Sequence, residues 1–212
     1  MPGDQELFDA VLQADRDRVI AAVRAGVDGG TPVSSLLMDC MVPAMREIGD
    51  RFAAGELFIP EMLFAARAMQ AGLDIVEPLL GDSDHGSLGR VAVGTVKGDM
   101  HDIGKNLVVM MLKGGGYRVT DLGVDCSLET YEAAVAEGST VLCCSALLTS
   151  TMTYMKQVVG RFQKDPAVKV IVGGAPVTRA FAEDIGADGF AEHASEATRV
   201  VSACLAGSAP AR

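Results

Sequence analysis

The residues best suited to chemistry in this chain lie in the run Lys97-Gly98-Asp99-Met100-His101-Asp102-Ile103-Gly104-Lys105-Asn106. A carboxylate two residues before an imidazole can hold one ring nitrogen while the other faces a ligand. That arrangement fixes the tautomer and raises the basicity of a metal-bound histidine. His101 is therefore a candidate ligand with Asp99 as its orienting partner, and a loop histidine capping the following helix is the alternative. A second cluster, Ser145-Ala-Leu-Leu-Thr-Ser-Thr151, places four hydroxyls in seven residues. These can line a ligand site or simply cap a helix, and spacing does not choose between the two. Gly173-Gly174-Ala-Pro176 is a third candidate. Paired glycines let backbone approach a ligand closely, but they also make an ordinary tight turn.

The elements that must position these clusters follow from the hydrophobic pattern. From Arg90 onward, short β-branched runs alternate with helical stretches, the signature of a parallel α/β sheet. Strands are expected at 91–96, 117–121, 140–145, 168–172 and 188–190. Five strands with intervening helices match a flavodoxin-like (Rossmann-like) doubly wound sheet of order 2-1-3-4-5, whose ligand crevice opens beyond the carboxyl ends of strands 1 and 3. The His101 run follows strand 1, the hydroxyl cluster strand 3 and the glycine pair strand 4.

Residues 5–80 are instead helical throughout. Leu7, Phe8, Val11, Leu12, Val19, Ile20 and Val23 predict one amphipathic helix ending at Gly26. Thr31-Pro32 predicts an N-cap with proline at the first helical position, and Pro43 is expected to split the next segment in two. Pro60 opens a long helix striped by Met62, Met69, Leu73, Val76 and Leu80. A four-helix domain over 1–85 and an α/β domain over 90–212 result, joined by a polar linker from Gly81 to Gly89.

Composition narrows the function classes. The 18 Lys and Arg against 28 Asp and Glu leave a net charge of −10, which repels phosphate backbones, so no nucleic acid partner is expected. No apolar run reaches the ~18 to 20 residues that span a bilayer, and the start carries Asp4, Glu6 and Asp9 instead of a basic leader. An odd cysteine count of 5, with no Cys-x-x-Cys pair, fits a reducing compartment. A soluble cytoplasmic protein is expected. The 11 methionines with no tryptophan suggest either a soft apolar surface or plain core packing.

Taken together, Asp-x-His-x-x-Gly at Asp99 to Gly104, Ser-x-Leu at Ser145 to Leu147, and Gly173-Gly174 resemble the cobalamin-binding domains of corrinoid proteins and methionine synthase. The helical half resembles the capping bundle of methyltransferase corrinoid proteins through Met41-Val-Pro-Ala-Met45, Gly49, Phe52 and Gly55 to Met62. The resemblance implies a cobalamin cofactor, methylcobalamin or a related corrinoid, with His101 as lower axial ligand to cobalt in place of dimethylbenzimidazole. Asp99 and Thr151 would be the ligand-relay residues. Gly98, Asp99, Met100, His101, Asp102, Ile103 and Gly104 would contact the cofactor from the first loop. Ser145, Leu147 and Thr149 would line a slot for its nucleotide tail, with Gly173 and Gly174 beside it and Ala194 touching it from the last loop. His193 departs from the acidic or amide residue that relatives often carry there.

The same resemblance implies a corrinoid methyl carrier that shuttles between Co(I) and methyl-Co(III), a non-catalytic subunit without a complete active site. Its implied partners are a substrate-specific methyltransferase of TIM-barrel type and an acceptor methyltransferase, with room for a reductive activation protein. Met41, Met45, Phe52 and Met62 are candidates for a cap over the upper corrin face, or for bundle core. A cobalamin-binding sensor is the alternative, but it would normally add a basic helix-turn-helix for which this sequence has no segment. A carbon-skeleton mutase domain would pair with a catalytic barrel instead of this bundle. The methyl donor is not legible.

Overall fold

The computed structural model describes residues 2–79 and 88–207. The chain forms two compact units, one of Met1–Leu88 with Met110–Tyr117 and one of Gly89–Val109 with Arg118–Arg212. Most of the expected linker, 81–87, lies outside the described residues, as does Leu80 of the long-helix stripe.

The helical unit begins with α1 (Pro2–Leu12) and α2 (Arg16–Asp28), where the sequence predicts a single helix. The chain turns between them at Ala14, which adopts a left-handed φ of 55°. Asp15 then caps α2, its side chain accepting from Arg18 N at 3.1 Å. Neither residue is a glycine or proline, so no strong breaker marks the turn in the sequence. At its other end α2 runs past Gly26 to Asp28. Gly26 serves close packing instead of termination, because a Cβ there would lie 2.7 Å from Leu36 Cδ2.

A turn of helix, α3 (Val33–Ser35), leads through a π-helical turn (Leu36–Met41) directly into α4 (Val42–Ala53). Pro32 stands just before this helix, not at its first position. The split expected at Pro43 does not occur. The proline sits in the first turn of α4, and Val42 N–H reaches back five residues to Leu37 O. This wider turn shifts the carbonyls that a proline ring would meet in a regular α-helix.

Next comes α5 (Ile59–Val76), whose start is secured by Phe58 N–H donating to the Glu61 carboxylate at 2.8 Å. It buries Met62, Met69, Leu73 and Val76. Met41, Met45 and Met62 are at most 2% exposed, so these methionines are bundle core and present no apolar surface. Among the described residues, the large exposed apolar side chains of this unit are Phe58, Ile59, Phe64, Leu79 and Leu88.

In the α/β unit the strands β1 (Arg90–Val96), β2 (Arg118–Cys126), β3 (Val141–Ser145), β4 (Lys169–Gly173) and β5 (Gly189–Ala191) form one parallel sheet of order β2-β1-β3-β4-β5, as the sequence predicts. The intervening helices are α6 (Ile103–Gly114), α7 (Leu128–Ala136), α8 (Thr149–Met152), α9 (Met155–Phe162) and α10 (Arg179–Ile185), and α11 (Ala197–Leu205) closes the chain. Residues 91–96 are all buried, as expected of a central strand covered on both faces. On β3, the adjacent Cys143 and Cys144 are buried for the same reason.

One strand departs from expectation. β2 runs on to Cys126 because its register against β1 slips twice: Val93 pairs with Asp121, Gly94 with Gly123, and Val96 with Cys126. Leu122-Gly-Val-Asp125 looks like a turn in sequence, and the bulges are how a strand absorbs such residues.

Candidate functional site

β1 and β3 are neighbours in the sheet while their following helices diverge, so their carboxyl ends mark the switch point at which doubly wound folds bind ligands. Asp99 lies in the loop after β1, its side chain fully buried, and its two oxygens divide the site between them. Oδ1 lies 3.0 Å from His101 Nδ1 and accepts from His101 N at 3.1 Å. Oδ2 accepts from Leu147 N at 2.8 Å, from Leu148 N at 3.3 Å and from the Thr151 hydroxyl at 2.7 Å. One carboxylate thus joins the β1 loop to the hydroxyl cluster after β3.

Burial alone would push the Asp99 carboxyl up, but the bonds from Leu147 N–H, the Thr151 hydroxyl and His101 outweigh it and hold the group well below the usual carboxylate range. An ionised carboxylate only accepts, so Nδ1 of His101 must carry the ring proton. In the neutral imidazole this leaves the lone pair on Nε2. The ring itself is 54% exposed, so a buried negative charge fixes the tautomer of an accessible nitrogen.

The loops that meet at Asp99 also carry four exposed apolar side chains, Met100, Ile103, Leu147 and Leu148, at 70%, 84%, 42% and 46% exposure, beside the exposed Asp102. Gly104 follows in the first turn of α6, with open space where a Cβ would stand. Asp102 ends the loop, its carbonyl accepting from Asn106 N at 2.7 Å. Gly98 takes a left-handed φ of 84°. Thr149 is exposed at the start of α8, and Ser145 is half-buried at the end of β3, paired with Thr95 on one side and Gly173 on the other. Ala191 of β5 pairs with Gly173, and Ala194 begins the 3₁₀ turn beyond it.

The glycine pair has a reason internal to the protein. A Cβ on Gly173 would lie 2.7 Å from Ala191 O, and one on Gly174, where φ is 120°, only 2.0 Å from Ala146 O. Backbone packing between loops therefore requires both glycines before any ligand is considered.

Three residues that sequence reasoning missed also serve the loop. Thr95, buried in β1, donates its hydroxyl to His101 O at 2.7 Å. Asp125 accepts from Gly98 N at 2.7 Å. Lys105, 2% exposed, bonds Asp121 at 2.5 and 2.7 Å and Asn106 Oδ1 at 2.6 Å. A buried lysine in the first turn of an apolar helix was the available signal for the last of these, since such a charge needs a partner.

Among the described residues no three His, Cys, Asp or Glu side chains gather into a metal site. A metal held by His101 must then bring its remaining ligands with it, as an ion inside a macrocycle does. A single oriented imidazole, on loops that also expose Met100, Ile103, Leu147 and Leu148, fits such a group. Family models for a B12 binding domain match residues 89–199 and, as a second domain, residues 4–77. The chain belongs to the B12-binding corrinoid protein family.

Its relatives include dimethylamine corrinoid protein 2 of Methanosarcina acetivorans, 38% identical with 96% of each chain covered. The trimethylamine corrinoid protein of Methanosarcina barkeri is 40% identical over 87% of this chain and 86% of its own. Among solved structures, the methanol:cobalamin methyltransferase complex of Methanosarcina barkeri matches with a TM-score of 0.84 at 28% identity, covering 98% of this chain and 81% of that one. A cobalamin-binding protein of Desulfitobacterium hafniense matches with a TM-score of 0.75 at 26% identity, covering 92% and 95%. As a B12-binding corrinoid protein this chain takes cobalamin as its cofactor. No helix among its described residues is long and apolar enough to cross a membrane.

Proposed function

We propose that this corrinoid protein is a cytoplasmic methyl carrier, a subunit without catalysis of its own, in which His101 Nε2 is the lower axial ligand to cobalt and dimethylbenzimidazole is displaced. The observation that carries this is the fully buried Asp99 carboxylate fixing the tautomer of an exposed imidazole. When bound, cobalamin supplies a cobalt centre that takes up and gives up a methyl group, with a need for a lower ligand that changes with oxidation state.

The chain's own residues tune that ligand. Asp99 accepts the hydrogen bond from Nδ1–H and leaves the Nε2 lone pair facing a ligand. Thr151 and two backbone N–H groups occupy Oδ2, so the negative charge stays in place. Because Oδ2 is saturated with donors, the Nδ1 proton resides on the ring and not on the carboxylate.

Gly98, Met100, Asp102, Ile103 and Gly104 would border the corrin, and Ser145, Leu147 and Thr149 the nucleotide tail, near Gly173, Gly174 and Ala194. The structural match to a methyltransferase complex and the methylamine names of the relatives support partners that donate and accept methyl groups, a substrate-specific barrel methyltransferase and an acceptor methyltransferase. A reductive activation protein would restore carrier oxidised by accident.

The test is spectroscopic. In the Co(II) holoprotein the paramagnetic resonance signal should split through a histidine nitrogen, and labelling histidine with nitrogen-15 should turn each triplet into a doublet. His101→Ala should abolish the coupling, and retention of it would refute the assignment. Incubating the reduced holoprotein with methylamines, methanol, glycine betaine and aryl methyl ethers, each with its cognate methyltransferase, then identifies the donor. Failure to accept methyl from any of them would refute the carrier role.

A further inference from the structure

Asp125 lies on β2, outside every motif noted in the sequence, yet it holds the loop that carries His101. We propose that Asp125 is a positioning residue for the His101 imidazole, bracketing the backbone of Gly98 and Asp99 so that the Asp99 carboxylate can serve two segments at once. The inference rests on the assignment of His101 as cobalt ligand.

Asp125 Oδ1 accepts from Gly98 N at 2.7 Å, and Asp125 N donates to Asp99 O at 3.0 Å. These two bonds hold the peptide units on either side of the one that joins residues 98 and 99, so they restrain its rotation as well as its position. On the other side Asp99 N donates to Val96 O at 3.1 Å. The constraint matters because Asp99 has little latitude. Its Oδ1 must meet His101 and its Oδ2 must meet residues 147, 148 and 151, at distances from 2.7 to 3.3 Å. Rotating the peptide between residues 98 and 99 would swing the carboxylate toward one set and away from the other.

The strand is shaped for this purpose at a local cost. Two register slips give β2 extra residues against β1, and Asp125 falls within the second, between Gly123 opposite Gly94 and Cys126 opposite Val96. Asp125 then sits at a left-handed φ of 54°, a conformation that Asp tolerates better than most residues but that glycine adopts freely. A position that served only the backbone would be better filled by glycine. An aspartate there points to a requirement for its carboxylate, and that carboxylate bonds Gly98 N.

The experiment compares wild type, Asp125→Gly, Asp125→Asn and His101→Ala. Asp125→Gly keeps the backbone donor and relieves the φ strain while removing the side-chain acceptor. Asp125→Asn restores an acceptor oxygen on a residue that also tolerates left-handed φ. In the apoprotein, nitrogen-15 resonances of His101 report how fully the proton resides on Nδ1. In the Co(II) holoprotein, histidine coupling reports the ligated fraction.

Asp125→Gly should retain the wild-type melting temperature within a few degrees, yet lose the Nδ1–H preference and shift the ratio of ligated to unligated cobalt by ~10-fold, in the range for residues that orient a metal ligand. Asp125→Asn should restore both. Wild-type tautomer and ligation in Asp125→Gly would overturn the proposal, as would an Asp125→Asn protein no better than Asp125→Gly. If wild type itself shows no histidine coupling, the cobalt-ligand assignment fails instead, and the apoprotein tautomer still decides the role of Asp125.

Discussion

The loop after β1 and the glycine pair after β4 stand at the same edge of one sheet, but they answer to different demands. In the first, polar groups converge on a side chain that is itself exposed: the buried Thr95 and Asp99 and the exposed Asp125 all secure His101 or its backbone, directly or through one another. In the second, Gly173 and Gly174 are explained by Ala191 O and Ala146 O, groups of the protein itself. Polar organisation that ends at an accessible atom indicates a site. Small residues hemmed in by backbone indicate packing, even when they belong to a binding motif.

This contrast can be broken most forcefully at Gly174. Gly174→Ala places a methyl against Ala146 O at a φ unsuited to alanine, and both effects act in the empty protein. Overpacking and backbone strain together should cost ~3 kcal/mol or more in urea unfolding of the apoprotein. Near wild-type stability would mean that the pair answers to the cofactor after all. Asp99→Ala should come next, at ~2 to 3 kcal/mol, because it strands buried donors. His101→Ala should do the reverse, changing apoprotein stability by less than ~0.5 kcal/mol, as an exposed side chain should, while eliminating histidine ligation.

The comparison sharpens with pH. The folded Asp99 carboxyl lies below its unfolded value of ~4, so its stabilisation is complete above that pH and fades as pH falls toward the folded value. The stability gap between wild type and Asp99→Asn should therefore be constant from pH 6 to 8 and narrow below ~pH 4. A constant gap down to pH 3 would argue against an ionised Asp99. The smallest effect belongs to the thiols. Burial foremost, and Asp121 next, push Cys126 up to about 11, and burial raises Cys144 to about 12. The unfolded chain ionises first, so stability should decline slightly as pH rises from ~9 toward 11. Cys126→Ala should soften that decline in a series of thermal melts.

Much of this was legible in the sequence, for physical reasons that also set its limits. The inner strands β1, β3 and β4 were visible because buried parallel strands are runs of apolar, mostly β-branched residues, and the strand order followed from the fold class. Asp99, His101 and Thr151 were visible because their residue types are chemically conspicuous, and the structure joins all three. Asp125 was hidden because Leu122-Gly-Val-Asp125 imitates a turn, and a bulge leaves no periodic mark. Thr95 was hidden because a threonine in a buried strand is ordinary until its hydroxyl is seen on His101 O. The break at Ala14 was missed because its flanking apolar residues keep a helical rhythm across it.

The π-helical turn at Leu36–Met41 explains another rhythm. Leu36, Cys40, Ala44 and Ile48 are all buried, as are Leu37, Met41 and Met45, so two rows advance by four residues along one face. A uniform α-helix turns ~100° per residue, so each step of four overshoots a full circle by ~40° and three steps would carry a row off its face. The single wide turn takes back part of that angular drift. Deleting one residue between 36 and 41 would therefore do more than shorten a helix: it would swing the apolar face of α4 through ~100° and leave Met45 and Ile48 pointing away from their packing partners.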